Sequence, residues 1–291
     1  MVQLETIYLA PYLPLIRELS PAPVVLRAHN VEFEIWERHA RQSRNPAKGL
    51  YLRLLSRQLR DFELGQLPAF DLLAAITGRD LERFRRLGFR GPGLVLPPGL
   101  DAEDYSPEAP VTGLPLRVGF IGALDWMPNQ EGVRWLVQRL WPRLRERLPR
   151  LELHLAGLNT PGWLRRLSGN GIHVHGEVPD ARAFLSECQV LAVPLFSGSG
   201  IRIKILEGLA LGRVVVATPL ALEGIPARHD QEVLIAQSES EWLQALERLY
   251  HDETLRQTLA RNARRFLLRE FDNQRLARKL LDAYQSLPSR T

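Results

Sequence analysis

Lys204 and Glu207 stand three residues apart, hence on one face of any helix, directly after a turn of small residues, Ser197, Gly198, Ser199 and Gly200. Glycines let a backbone approach a ligand closely, and the first turn of a following helix leaves N–H groups without intrahelical partners. Those donors, with the positive end of the helix dipole, suit a phosphate or diphosphate. Arg202 and Lys204 add charge at an end where the dipole alone disfavours a cation by roughly 0.3–1 kcal/mol each, a cost that a bound anion offsets. A carboxylate one turn further on, Glu207, can accept two hydrogen bonds from a ribose diol. The other reading of the same residues is a solvated Lys/Glu pair on an amphipathic helix.

The elements that must position this chemistry are legible on either side. An apolar run, Val190 to Leu195, leads into the small-residue turn, and a helical pattern from Ile201 to Leu211 follows. Gly212 then stops the helix before a second apolar run, Val214 to Ala217. Strand, loop, helix and strand in that order predict one βαβ unit of a buried parallel sheet.

From Leu116 onward strands and helices alternate, the pattern of a parallel sheet covered by helices. Strands are predicted over 117–121, 152–156, 172–175, 190–193, 214–217 and 232–235, with helices over 130–147, 161–168, 181–187, 201–211 and 239–250. Two further helices, 253–270 and 273–285, close the chain. The amino-terminal part reads as an incomplete α/β domain, with strands over 2–5, 24–27 and 70–77, an extended stretch over 93–97, and helices over 8–19, 32–42, 49–66 and 80–87. His29 follows the second of these strands, where open α/β sheets bind ligands; it reads equally as a polar loop residue. The expected division is a partial domain over 1–108, a complete Rossmann-like domain over 109–270 with a Pro-rich linker over 106–115, and a terminal helix over 271–291.

Composition sets further bounds. The 291 residues are 45% hydrophobic and 24% charged, values of a globular chain, and no apolar run is long enough for a membrane span. Cys188 is alone, no Cys/His metal cluster is apparent, and the first residues do not form a basic and then apolar leader, so a cytoplasmic setting is expected. The net charge of +5 derives from arginine, since the lysines are Lys48, Lys204 and Lys279. Basic helices without interleaved aromatics argue against nucleic acid. Arg79, Arg83, Arg85, Arg86 and Arg90 suggest contact with anionic lipid at the inner face of the membrane. A Walker A loop, a G-x-G-x-x-G after a strand and a G-x-S-x-G elbow are all missing, against NTPase, dinucleotide oxidoreductase and α/β-hydrolase readings.

The stretch Gly200-x-Arg202-x-Lys204-x-Leu206-Glu207, followed by Gly212-x-x-Val215-Val216-x-Thr218 and then Glu223-Gly224, resembles the donor site of the retaining glycosyltransferases of family 4, which have the two-domain GT-B fold. The run His29 to Glu32 and the turn Pro97-Pro98-Gly99-Leu100-Asp101 are similar to other segments of that family. The resemblance implies transfer of a sugar from a nucleoside-diphosphate sugar to a polysaccharide or lipid-linked acceptor, with retention of configuration. It implies donor-binding roles for Gly122, Gly198, Ser199, Gly200, Glu207, Glu223 and Gly224, and catalytic roles for His29, Arg202 and Lys204. Ser199 stands where a second glutamate is common in the family. Ala123 and Asn129 stand near places often held by cations, so the expectation is that Arg202 and Lys204 carry the charge instead. No Asp-x-Asp pair stands at a strand end, and transfer without a metal or any cofactor beyond the donor is expected. Relative to the family the amino-terminal domain is short of a strand and a glycine loop. This leaves open a nucleotide-sugar-binding module without its own activity, and association through an unpaired sheet edge.

Overall fold

A computed structural model describes residues 1–43, 45–105, 115–198 and 200–288. Ser199 and most of the expected linker lie outside the described residues. The chain forms two compact units, one from residues 1–98 with 274–291, the other from residues 99–273.

In the first unit, strands β1 (Val2–Leu4), β2 (Val24–Ala28), β3 (Leu72–Ala75) and β4 (Gly93–Val95) form a parallel sheet in that spatial order. The period of two along β2 decides its faces. Val24 and Leu26 join Phe33, Leu73, Phe84 and Phe89 in one core, while Val25 faces Leu72, Ala74, Leu96 and Leu276 in another. The segment expected as one helix over 8–19 is a 3₁₀ turn, Ile7–Tyr12, followed by helix α1 (Leu13–Leu19). Pro11 and Pro14 lack the N–H groups that a continuous α-helix needs. Helices α2 (Glu32–Gln42) and α3 (Pro46–Gln66) pack as a pair. The buried Glu63 carboxylate of α3 caps α2, accepting from Glu32 N at 3.2 Å and Phe33 N at 3.3 Å. Helix α4 is Gly78–Arg86.

In the second unit the strands are β5 (Arg117–Ile121), β6 (Glu152–Ala156), β7 (Ile172–Gly176), β8 (Val190–Val193), β9 (Val214–Ala217) and β10 (Leu234–Ile235). They pair in parallel in the order β10-β9-β8-β5-β6-β7. This is the doubly wound arrangement, and the strand order reverses between β5 and β8, where such sheets leave a crevice beyond their carboxyl ends.

The helices of this unit are α5 (Met127–Trp135), α6 (Trp141–Arg147), α7 (Gly162–Arg165), α8 (Ala181–Ser186), α9 (Ile203–Ala210), α10 (Glu239–His251) and α11 (Glu253–Glu270). On one sheet face Val118, Phe120, Leu153, Val190 and Val214 pack with Leu136, Trp141 and Trp242. On the other, Leu191, Val193 and Val215 pack with Ile205, Leu209 and Phe266. The helix expected over 130–147 is interrupted by a π-helical stretch, Leu136–Leu140, just before Trp141 and Pro142. Proline's missing N–H supplies the reason. Expected helix 161–168 shrinks to α7 because Gly169, Asn170 and Gly171 turn at positive φ. Expected strand 232–235 shrinks to β10, since Glu232 is occupied with Arg228 through both its backbone N and its guanidinium. The closing helix, α12 (Asn273–Gln285), lays Leu276, Leu280 and Tyr284 on the first unit's sheet.

Candidate functional site

The loops after β5 and β8 flank the reversal point, and the glycines there answer to space. A Cβ on Gly157, after β6, would lie 1.8 Å from the Gly122 carbonyl oxygen, and one on Gly132 would lie 2.1 Å from that of Pro194. Only glycine lets these strand ends and α5 close together. A Cβ on Gly122 would stand 2.7 Å from both Asn129 Nδ2 and Lys204 Nζ, so the backbone at Gly122 runs directly past the lysine ammonium.

Lys204 leaves the first turn of α9 and ends between these loops. Its Nζ donates to Asn129 Oδ1 at 3.1 Å and lies 4.4 Å from the centroid of the buried Phe120 ring. Asn129, only 3% exposed, is fixed in turn by donating Nδ2 to Ala123 O at 2.8 Å. Burial pushes the Lys204 ammonium down to about 7, with Arg202 adding repulsion and Glu207 opposing both. A half-buried cation in the first turn of a helix is a group whose charge a diphosphate would stabilise.

Arg202 precedes the helix as its cap rather than forming its first turn. Its side chain is 6% exposed, and Nη1 donates to Gly200 O, so the guanidinium braces the turn it follows. Gly198 and Gly200 take φ of +106° and +87°, where a side chain would be strained. They keep part of their surface open, and Phe196 beside them is exposed. The turn is therefore accessible to a ligand. Trp126 closes over Gly198, its ring 3.2 Å from where a Cβ would stand.

Glu207, one turn along α9, accepts from Tyr105 OH at 3.2 Å. Burial raises the carboxyl above its ordinary range, partly opposed by that hydrogen bond and by Arg182. Burial and the same carboxylate push the Tyr105 hydroxyl up to about 12. Tyr105 was missed by sequence reasoning, because no spacing signal links residues 102 positions apart. Arg182 lies 5.8 Å over its ring, and Arg264 donates to its carbonyl at 2.5 Å.

Glu223 and Gly224, the latter at φ +83°, follow β9 after a 3₁₀ turn, Pro219–Leu222. Thr218 ties this loop to the one after β8 by donating Oγ1 to Leu195 O at 2.6 Å. The structure thus gathers Gly122, Gly198, Gly200, Arg202, Lys204 and Glu207 around the strand reversal, with Glu223 and Gly224 on the adjoining loop. His29 belongs to the first unit. It follows β2 and pairs Nε2 with Glu5 Oε2 at 3.0 Å, both side chains being about half exposed.

A cavity of about 700 Å³ lies at the opposite end of the same sheet, near Gln189 and Val214. Two of its arginines, Arg256 and Arg264, are spent on backbone carbonyls of neighbouring segments.

Residues 115–252 match the family model described as Glycosyl transferases group 1. An uncharacterized 44.6 kDa protein in the cps region of Klebsiella pneumoniae is 22% identical over 169 residues, 55% of this chain and 44% of that protein. The chain therefore matches less than half of that relative's length. Among solved structures, sucrose-phosphate synthase of Thermosynechococcus elongatus superimposes with a TM-score of 0.70 at 17% identity, over 97% of this chain and 72% of that one. HepE of Anabaena, solved in complex with UDP, superimposes with a TM-score of 0.68 at 15% identity, over 99% and 79%. The fold is that of the GT-B glycosyltransferases, and the segment that matches the group 1 glycosyl transferase model is the one that carries the loops around Lys204 and Glu207.

Proposed function

We propose that the chain binds a nucleoside-diphosphate sugar at the loops after β5 and β8 and transfers its sugar, with retention, to a polysaccharide or lipid-linked acceptor. The observation that carries this reading is the half-buried Lys204 ammonium, held by Asn129 beside Gly122 and within one helical turn of Glu207. In this reading the amides of Gly198 and Gly200 and the Lys204 ammonium take the diphosphate, Arg202 braces Gly200 and adds charge, and Glu207 takes the ribose diol in exchange for Tyr105. Glu223 and Gly224 border the donor, and the role of His29 rests on the family resemblance of the run His29 to Glu32 alone.

A fixed cation beside the leaving diphosphate stabilises charge that grows in the transition state, at no cost of reorganisation. The departing phosphate can then take the acceptor's proton, so the reading needs no pair of catalytic carboxylates. UDP is the nucleotide seen in HepE, which makes UDP-sugars the first donors to try. A polysaccharide acceptor is in keeping with the Klebsiella relative's place in a cps region.

The experiment is calorimetric titration with UDP- and GDP-sugars beside a donor-hydrolysis assay on the same protein. Binding with slow hydrolysis, both weakened by Glu207→Ala, is the expected result. Absence of binding by every donor would refute the proposal. Saturable binding without turnover would leave the donor site and favour the reading as a nucleotide-sugar-binding module, for which Ala123 and Asn129, in place of cations, are the structural argument.

A further inference from the structure

Strands β6 and β7 carry an E-x-H and an H-x-H sequence whose use the donor site does not explain. Their register pairs His154 with His173 directly. Since side chains alternate along a strand, Glu152 and His154 share one face with His173 and His175, while Leu153, Leu155 and Ile172 fill the core on the other. Spacing of two on two neighbouring strands thus concentrates four metal-binding side chains at one spot.

The geometry there is that of a donor set. Ligating atoms of Glu152, His154 and His173 all lie within 4.8 Å of one another. Glu152 Oε2 is 3.2 Å from His154 Nε2, and Glu152 Oε1 is 4.0 Å from His173 Nε2. The rings of His154 and His173 stack with centroids 4.6 Å apart. His154 Nδ1 lies 3.0 Å from His175 Nε2, so the second nitrogen of the buried imidazole already has an outer partner of the kind that orients metal-bound histidines. His173 is 48% exposed, which leaves one side open to an entering ion and to water.

We propose that Glu152, His154 and His173 bind one borderline divalent transition-metal ion, best matched by Zn²⁺, with water in the fourth position and His175 as the outer partner of His154. Two imidazoles and one carboxylate are a donor set for zinc, whereas Mg²⁺ and Ca²⁺ prefer oxygen. In a tetrahedral site with bonds near 2.0–2.1 Å, neighbouring donor atoms stand about 3.3 Å apart. The Glu152–His154 pair already meets that, whereas the exposed His173 ring, stacked on that of His154 with Nε2 4.0 Å from Glu152 Oε1, has to rotate out of the stack to aim its lone pair at the same ion. Arg117, 3.4 Å from Glu152 Oε2 and 3.8 Å from Glu187, can keep Glu187 when the ion takes its share of Glu152. The site lies toward the amino-terminal ends of β6 and β7, away from the donor loops, and would clip the edge strand β7 to its neighbour.

The test uses the full chain, stripped with EDTA, dialysed, and titrated with Zn²⁺ and separately with Mg²⁺ in a calorimeter, with Co²⁺ absorption as a second readout. The expected result is one Zn²⁺ per chain, no uptake of Mg²⁺, and a tetrahedral Co²⁺ spectrum. His173→Ala and His173→Gln, at an exposed position, should weaken Zn²⁺ by more than tenfold and abolish the Co²⁺ spectrum. His175→Ala should weaken it by about 10–100-fold, as for loss of an outer partner. His251→Ala, on α10, should change nothing. No saturable Zn²⁺ uptake by the wild type, or uptake unchanged in both His173 variants, would overturn the proposal.

Discussion

Donor binding should be coupled to protonation of Lys204. Burial holds its ammonium down to about 7 in the free protein, so near pH 8.5 the side chain is mostly neutral. A diphosphate placed against Nζ restores the charge, and the complex then takes up close to one proton per site. Affinity should be nearly flat below pH 6 and fall tenfold per pH unit well above 7, because each unit adds 1.36 kcal/mol to the cost of recharging the amine. Between pH 6 and pH 8.5 the loss is about 30-fold for a free-state value near 7. A nucleoside-diphosphate sugar is the proper probe, since its doubly esterified diphosphate does not itself titrate in this range. Calorimetry in two buffers of different ionisation enthalpy at pH 8 reads the proton uptake directly. Lys204→Gln should bind more weakly at pH 6, show no uptake, and have an affinity independent of pH. Equal uptake in wild type and Lys204→Gln, or a flat wild-type profile, would refute the assignment of this lysine.

Other consequences are independent of that lysine. Glu63 is pushed up to about 7 by burial, against the two N–H groups it accepts. Its folded value exceeds its unfolded one, so its contribution to stability is complete below about 4.5 and is lost as pH rises through 7, on the order of 3 kcal/mol in all. Denaturant unfolding at pH 5 and pH 8 should show that loss, and Glu63→Gln should flatten it. Gly157→Ala forces a methyl into a carbonyl 1.8 Å away and should cost about 3 kcal/mol or more, read as a lower unfolding midpoint. Glu207→Ala should weaken nucleotide binding by roughly 1.5–3 kcal/mol, the range for a hydrogen bond to a charged group, whereas Tyr105→Phe should alter it by less than about 1 kcal/mol if the ribose displaces the phenol. Titration of both variants with the same nucleotide makes the comparison.

Much of the second unit could be read in advance because its strands are short apolar runs closed by Gly or by small polar turns. The loop and helix from Phe196 to Leu211 announce themselves through Gly198, Gly200 and Gly212. What could not be read is what crosses long separations. Lys204 meets Asn129 over 75 positions and Tyr105 meets Glu207 over 102, and neither has a local pattern. Arg202 looked like a residue of the first helical turn; its backbone is extended at φ −90° and ψ 97°, which turns its guanidinium back onto Gly200. Pro11 and Pro142 are plain in the sequence, but that the chain answers them with a 3₁₀ turn and a π-helical stretch is a matter of local packing. The histidines of β6 and β7 gave no metal signature because their motif is split between two strands and exists only once the register pairs His154 with His173.

If Gly198, Gly200 and the start of α9 hold the diphosphate of an activated sugar, a bound donor shields that segment from solvent. Amide hydrogen exchange, resolved to peptides covering residues 196–207 and compared with and without a saturating UDP-sugar, tests it most directly. Strong protection is expected there and in the loop from Gly122 to Asn129, with little change at the cavity near Gln189 and Val214. Protection at that cavity, with residues 196–207 unchanged, would contradict it.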